Sequence, residues 1–195
     1  TLSLHDALPI LMRHGETLFN QRRKIQGWCD SPLTEAGINQ AKQAKNILSK
    51  IKFDHFYSST AERCVDTLEL ITDQPYQRLK GLKERYFGSF EGESEDLNPP
   101  VAKYDEFFSL YGGETRKEVM DRMVTTLTNI MEQPDCQKVL AVSHAGACRC
   151  FLSHLGNPEQ LLNGKRLTNC CILHFKYDNG RFIFNELLNS SKEGN

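Results

Sequence analysis

The first apolar run of the chain ends in an arginine and a histidine. The sequence Leu11-Met12-Arg13-His14-Gly15 is typical of a buried strand that stops at a tight turn, so Arg13 and His14 fall at its carboxyl end. Ligands bind at that edge of open α/β sheets. A guanidinium suits phosphate oxygens, and an imidazole can act as a nucleophile, an acid or base, or a metal ligand. A lone histidine in this position is more often structural, so other residues must support the chemistry.

A second histidine repeats the pattern. The β-prone run from Lys138 to Ser143 leads into His144-Ala145-Gly146, and a helix is predicted to follow through Leu155. If the two strands are parallel neighbours, both histidines stand on the same edge of the sheet.

Two further charged residues are placed near that edge. Arg63 falls in the first turn of a helix that follows a predicted strand, Phe53 to Tyr57, with the hydroxyls of residues 58–60 expected to cap the helix. An arginine there opposes the helix dipole, which a bound anion would explain. Glu84 lies in a loop of alternating charges, aromatics and glycines. That loop either brings a carboxylate to the site or is only a salt-bridged loop with buried aromatic rings.

Composition limits the class of protein. A chain of 195 residues with 39% hydrophobic content suits one domain. Its 24 Lys and Arg against 25 Asp and Glu, without a basic tail, argue against nucleic acid or an anionic membrane surface as partner. No window approaches the roughly 18 apolar residues of a spanning helix. We expect a cytoplasmic protein with a small soluble ligand, and the oligomeric state stays open.

The cysteines and glycines predict no cofactor. There are seven cysteines, an odd number without Cys-x-x-Cys, so we interpret them as reduced, mostly buried side chains. Cys148 and Cys150 lie near His144, but Cys-x-Cys on a helix directs the thiols apart, and no metal site is predicted. Neither Gly-x-Gly-x-x-Gly nor a Walker-type motif occurs, which argues against dinucleotides and nucleoside triphosphates.

The two ends of the chain differ from the rest of the sequence. Residues 1–10 lack an initiator Met and resemble the translation of a sequencing-library adaptor, so we expect a non-native segment and exclude it from functional reasoning. Residues 7–12 are apolar enough to form the first strand, although Pro9 would remove a ladder donor. We predict a single domain over residues 11–188 and a disordered tail over 189–195.

Strand and helix patterns alternate along most of the chain. This order predicts a three-layer α/β/α sandwich with a mainly parallel central sheet and a C-terminal antiparallel hairpin. Further predicted elements are a helix from Thr34 to about Lys50, a strand over 75–79, a helical excursion over 101–111, a helix after Gly112-Gly113-Glu114-Thr115, and a hairpin with strands 169–177 and 181–188 joined by Asp178-Asn179-Gly180.

Two histidines, two arginines and a carboxylate on one edge suit phosphoryl transfer through a phosphorylated histidine. An imidazole would attack phosphorus, cations would hold the oxygens, and a carboxylic acid would protonate the leaving oxygen.

These residues resemble the histidine phosphatase superfamily, in particular the branch with cofactor-dependent phosphoglycerate mutase and related phosphatases. The resemblance runs from Leu11 to Leu188. It rests on Arg13-His14-Gly15-Glu16-Thr17 with Asn20, Gln26-Gly27 with Asp30, Leu33-Thr34 with Gly37, Ser58-Ser59 with Arg63 and Thr67, Glu84 with Phe87-Gly88 and Glu91-Gly92, and Ser143-His144-Ala145-Gly146.

The resemblance implies a role for each matching residue. His14 would become phosphohistidine inside a pocket of Arg13, Arg63 and a protonated His144, and Glu84 would be the general acid and then the base. Contacts to phosphate or substrate are expected from Asn20, Gln26, Gly27 and Ala145, and the cationic run Arg22, Arg23 and Lys24 is either solvated or an electrostatic rim for an anionic substrate.

Three activities remain open at this stage. The resemblance implies that mutases carry a longer insertion before the second histidine than the span from Glu84 to His144, which favours water as the acceptor and a phosphatase acting on a small phosphorylated metabolite. A phosphoglycerate mutase is the alternative. A silent relative that only binds a phosphorylated ligand is less favoured, because no nucleophile or arginine is missing.

Overall fold

A computed structural model describes residues 7–189, and a six-stranded sheet runs through them. The strand order is β3-β2-β4-β1-β5-β6. The first four strands in this order are parallel, whereas β5 is antiparallel to both β1 and β6. The strands are β1 (Leu8–Arg13), β2 (His55–Ser59), β3 (Gln77–Leu79), β4 (Lys138–Ser143), β5 (Ile172–Asp178) and β6 (Arg181–Leu188).

The central pair of strands brings the two histidines together. β1 and β4 are parallel neighbours, and Arg13 stands opposite Ser143 in the register. His14 and His144 therefore leave the sheet side by side at its carboxyl edge, as the sequence predicts.

Helices cover both faces of the sheet. They are α1 (Leu18–Gln21), α2 (Glu35–Leu48), α3 (Glu62–Ile71), α4 (Tyr104–Leu110), α5 (Arg116–Met131), α6 (Ala145–Leu155) and α7 (Pro158–Leu161). One core packs α2 and α3 against the sheet, and a second packs α5 and α6 against the opposite face. The predicted sandwich with a mainly parallel sheet and a terminal hairpin is confirmed.

The long helices begin where their capping residues predict. Thr34 accepts a hydrogen bond from the Gly37 N–H at the start of α2, and Thr115 forms a capping box with Glu118 at the start of α5. The apolar face of α5 is buried against the sheet.

The second strand lies two residues later than predicted. Ser58 and Ser59 stay in β2 because they pair with β3, and Ser59 Oγ accepts a hydrogen bond from the Ala61 N–H at 3.3 Å. The N-cap of α3 is Ala61, whose side chain makes no capping bond. The predicted capping by the hydroxyls of residues 58–60 is met by Ser59, which binds the N–H of the N-cap residue, and not by Ser58, whose hydroxyl donates to the Ser59 carbonyl.

The segment between β3 and α5 forms a roof over the sheet edge. It contains four 3-10 turns, Lys80–Leu82, Gly88–Phe90, Glu95–Leu97 and Val101–Lys103, followed by α4. Phe87 and Phe90 make ring contacts with Phe108, which is fully buried. Phe87 and Phe90 are themselves only partly buried and lie outside the two hydrophobic cores, so the alternative of aromatic rings tucked into the core is not met by these two rings.

Pro9 interrupts the pairing of β1 with β5. The continuous register covers only Ile10 to Met12, and Ala7 forms an isolated bridge with Tyr177. This register places Pro9 opposite Phe175, where a proline cannot donate to the ladder. The predicted loss of a ladder donor at Pro9 is confirmed. The rest of the predicted non-native segment and of the disordered tail lies outside residues 7–189, in which no helix is long and apolar enough to cross a membrane.

Replacing Pro9 with valine should stabilise the protein. Valine restores an N–H toward β5 and suits a buried strand, so we expect a gain of about 1 kcal/mol in the free energy of unfolding and a rise in Tm of about 2–4 °C. Thermal unfolding of both proteins measures this. A lower Tm for Pro9→Val would show that proline at position 9 stabilises the strand more than a hydrogen bond to β5 would.

Candidate active site

The imidazole of His14 is buried and held in one orientation. Its exposed fraction is 4%. Nδ1 lies 2.7 Å from the Gly15 carbonyl oxygen, which can only accept, so Nδ1 carries the proton and Nε2 keeps its lone pair. Burial first, and then the charges of Arg63 and Arg13, hold the pKa of His14 well below 6.5. At neutral pH this side chain is a neutral imidazole with a free nucleophilic nitrogen.

His144 lies beside His14 and binds Arg63. The two imidazole rings are 5.3 Å apart between centroids. His144 Nδ1 accepts from Arg63 Nη2 at 2.8 Å, and His144 Nε2 lies 2.8 Å from Ser59 Oγ. Burial and the Arg63 charge hold the pKa of His144 well below 6.5. A neutral His144 ring therefore orients the arginine in this arrangement. The protonated His144 that the resemblance implies belongs to a phosphate-bound site and stays a prediction.

Arg63 is fully buried, and an internal anion explains its place in the first turn of α3. Its Nη1 donates to Asp30 Oδ1 at 3.0 Å, and Asp30 Oδ2 accepts from the Glu62 N–H at the start of the same helix. The remaining Arg63 donors bind the carbonyls of Gly27 and Cys29, which leaves Nε without a partner. Asp30 is thus an anion shared by the arginine and the helix terminus.

Glu84 is held against the start of α6. One carboxylate oxygen accepts from the Arg85 N–H at 2.8 Å and the other from the Gly146 N–H at 2.9 Å. A Cβ at position 146 would lie 2.5 Å from Glu84 Oε1, so a larger residue there would displace the carboxylate from the Gly146 N–H. The loop therefore brings the Glu84 carboxylate to the edge of the sheet at which His14 and His144 lie. This is one of the two arrangements that the sequence leaves open for this loop.

A cavity of about 200 Å³, here called the catalytic cavity, joins these groups. Its lining includes Arg13, His14, Asn20, Lys24, Ile25, Gln26, Glu84, Phe87, Glu95, Asn98, Tyr104, Ala145 and Gly146. Arg63 and His144 are fully buried behind this wall rather than part of it.

The cationic run is placed differently from the prediction for Arg22 and Arg23. Neither residue lines the catalytic cavity, whereas Lys24 does. Arg23 adopts a left-handed backbone conformation, and its guanidinium forms ion pairs with Glu95 and Asp96. Gly27 also differs from its predicted role as a contact to phosphate or substrate. Its N–H donates to Glu91, and its carbonyl accepts from Arg63.

Glu91 organises the loops around the cavity. Its two carboxylate oxygens accept from the backbone N–H groups of Gly27, Trp28, Cys29 and Phe87, at distances of 2.8 to 3.2 Å. The sequence shows Glu91 only as part of a motif and assigns it no role.

A second ion pair fixes the backbone of the loop that carries Glu84. Arg122 donates to the Glu84 carbonyl at 2.8 Å and to the carbonyls of Gly81 and Lys83, and it pairs with the Glu114 carboxylate through two nitrogens. Arg122 lies on the long helix α5, whose periodicity reveals only its apolar face, so the sequence gives no signal for this contact.

The arrangement can be compared with known proteins. The sequence profile described as the histidine phosphatase superfamily (branch 1) matches residues 10–190. The chain belongs to this superfamily. Within residues 7–189 of this superfamily member, no three His, Cys, Asp or Glu side chains are grouped to hold a metal ion.

Some relatives of this chain are named as mutases and others as phosphatases. A Salmonella paratyphi A protein named "probable phosphoglycerate mutase GpmB" is 32% identical over 185 residues, which are 89% of this chain and 86% of that protein. The solved phosphoserine phosphatase of Entamoeba histolytica in complex with 3-phosphoglyceric acid has a TM-score of 0.79 and 28% identity, covering 95% of this chain and 98% of that one. The α-ribazole phosphatase of Shigella flexneri has a TM-score of 0.78 and 25% identity, covering 93% and 96%.

Replacing Glu91 with glutamine should loosen the site. An amide keeps one acceptor oxygen and turns an NH₂ toward N–H donors, so we expect the free energy of unfolding to fall by about 2–4 kcal/mol. Amide hydrogen exchange at residues 27–29 should accelerate. Urea unfolding and exchange measure the two effects.

The exposed Glu93, two residues away, provides the matched control. Glu93→Gln should change stability by less than about 0.5 kcal/mol. Equal effects of the two substitutions would show that the Glu91 carboxylate does not hold these loops.

The two buried histidines should lower stability in weak acid. Above pH 6.5 neither the folded nor the unfolded chain protonates them; below it only the unfolded chain does, because their folded pKa values are depressed. We expect a loss of about 1 kcal/mol per histidine for the first pH unit below this value, because an unfolded histidine is only half protonated at pH 6.5. Urea unfolding at pH 7 and pH 5.5 measures it, and His14→Asn should show about half the loss. A loss that is the same in His14→Asn would contradict the assignment to these rings.

Proposed function

We propose that this histidine phosphatase is a metal-independent phosphomonoester phosphatase that acts through a phosphohistidine on a small phosphorylated metabolite. The observation that carries the proposal is the state of His14: a neutral ring whose Nδ1 is bound to the Gly15 carbonyl and which lines a cavity together with Arg13 and Glu84. A nucleophile, a cation and a carboxyl group thus share one small space.

The residues support a two-step reaction. In the first step His14 Nε2 forms a bond to phosphorus, the ester P–O bond breaks, and the Glu84 carboxyl gives its proton to the leaving oxygen. In the second step the Glu84 carboxylate takes a proton from water, and the resulting hydroxide attacks the phosphohistidine. Phosphate is released and Nε2 recovers its lone pair. Arg13 lines the cavity, and Arg63 is buried directly behind its lining. The positive charges of both residues would offset the negative charge on the phosphoryl oxygens.

Water as the acceptor is supported by the surroundings of the cavity. Two larger cavities, of about 610 and 770 Å³, share Gly146 with the catalytic cavity. A site that must return a phosphoryl group to a second substrate hydroxyl needs tight closure against water. The open surroundings favour hydrolysis.

Phosphoglycerate mutase activity is the second candidate. It is favoured by the relatives named probable phosphoglycerate mutase, which are 32% identical over 89% of this chain. Two solved neighbours, a phosphoserine phosphatase and an α-ribazole phosphatase, favour phosphatase activity.

Phosphate release from a panel of phosphomonoesters, with EDTA present, tests the proposal. We expect hydrolysis that survives EDTA and falls at least about a thousandfold in His14→Ala, because the variant lacks the nucleophile. The exposed His154 provides the control, and His154→Ala should keep the wild-type rate.

Other outcomes decide between the alternatives. Conversion of 3-phosphoglycerate to its 2-isomer after priming with a bisphosphate, without phosphate release, would replace the phosphatase by the mutase. Neither activity in a folded chain would indicate a protein that only binds a phosphorylated ligand.

A further inference from the structure

A basic cleft adjoins the catalytic cavity. It has a volume of about 610 Å³ and shares Arg13, Ala145 and Gly146 with the catalytic cavity. Its lining residues are Arg13, Gln40, Ala145, Gly146, Arg149, Glu159, Gly164, Lys165, Arg166, Leu167, Thr168 and Asn169. We call this cavity the basic cleft.

Positive charge dominates the lining of the basic cleft. Four cationic side chains face one carboxylate, and that carboxylate, Glu159, is paired with Arg149. Lys165 and Arg166 are exposed, and within residues 7–189 no carboxylate lies in ion-pair distance of either. The whole chain has a net charge of -1, so this excess is local. Concave walls of one charge concentrate counter-ions of the other sign.

The loop that carries these two cations is attached to the catalytic strand. The Leu167 carbonyl accepts from Arg13 Nη1 at 2.7 Å, and Asn169 Nδ2 donates to the His14 carbonyl at 3.3 Å. Thr168 Oγ1 donates to Asn189 at the end of the hairpin. Lys165 and Arg166 therefore extend from a loop whose position relative to His14 is fixed.

We propose that the basic cleft binds a second anionic group of the substrate, a carboxylate or a phosphate, through Lys165 and Arg166. The inference rests on the proposed function and names its substrate class: phosphomonoesters with a body of about hexose size and an anion at the far end. The catalytic cavity of about 200 Å³ has room for the phosphoryl group and a few more atoms, so the remainder of a larger substrate lies in the adjoining cleft.

Matched pairs of sugar phosphates test this specificity. 6-Phosphogluconate carries a carboxylate that glucose 6-phosphate lacks, and fructose 1,6-bisphosphate carries a phosphate that fructose 6-phosphate lacks. We expect kcat/KM to be about tenfold higher for the member with the second anion, and the double variant Lys165→Gln/Arg166→Gln to lose this preference mainly through KM. Hydrolysis of glucose 6-phosphate should stay within about twofold of wild type. A preference in only one pair would identify the anion as carboxylate or as phosphate.

A control separates local binding from overall charge. Lys42→Gln/Lys45→Gln removes the same charge from the exposed face of α2 and should leave the preference unchanged. The basic cleft would be overturned as a subsite by equal kcat/KM within both pairs, or by a preference that survives in Lys165→Gln/Arg166→Gln. The proposed function would still stand in that case, because the esters would still be hydrolysed.

Binding to a variant that cannot turn over provides an independent readout. Calorimetric titration of 6-phosphogluconate and glucose 6-phosphate into His14→Asn, with and without the two cleft substitutions, should show a Kd for 6-phosphogluconate that rises about tenfold when the cations are removed. If no ester were hydrolysed, 4-nitrophenyl phosphate included, the proposed function would fail. If the Kd of 6-phosphogluconate were then unchanged by the two cleft substitutions, the anion subsite would be refuted as well. A tenfold rise in this Kd would support the subsite even without hydrolysis.

Discussion

Four backbone N–H groups from two separate loops point at one carboxylate, that of Glu91. Hydrogen bonds to a charged acceptor contribute about 1.5–3 kcal/mol each when the donors have no other partner. By binding residues 27–29 and Phe87 together, Glu91 joins the first loop of the site to the loop that carries Glu84. The indole of Trp28 strengthens the same junction, since its Nε1 donates to the Glu84 carbonyl at 3.0 Å.

The position of Arg63 follows from this junction. With their N–H groups bound to Glu91, Gly27 and Cys29 direct their carbonyls at the Arg63 guanidinium. Arg63 in turn binds His144, and its charge contributes to the lowered pKa of His14. A chain of hydrogen bonds thus links a loop carboxylate with the protonation state of the nucleophile. The sheet also positions the nucleophile, because the register of β1 and β4 places the rings of His14 and His144 side by side.

The sequence is sufficient for the fold and for the residues on strand ends. The apolar runs before His14 and His144 predict parallel strands, and a parallel register brings their ends to one edge. Thr34 and Thr115 mark helix starts by side-chain chemistry that acts within four residues. Such local rules do not reach contacts across distant loops. The sequence offers no reason for Arg23 to pair with Glu95 and Asp96 instead of facing the cavity, because that choice depends on a left-handed residue in a folded loop. The neutral state of His144 likewise depends on its burial and on the charge of Arg63, which lies 81 residues away in the sequence.

Direct detection of a phosphoryl group on His14 tests the central claim. The variant Glu84→Gln, incubated with 4-nitrophenyl phosphate, should form the phosphohistidine because this leaving group needs little protonation, and should hydrolyse it slowly because the base is missing. Mass spectrometry of peptides prepared under alkaline conditions should then find one added phosphoryl group on His14, and none in Glu84→Gln/His14→Asn. A phosphoryl group on another residue, or turnover of the ester without any labelled His14, would contradict the assignment of His14 as the nucleophile.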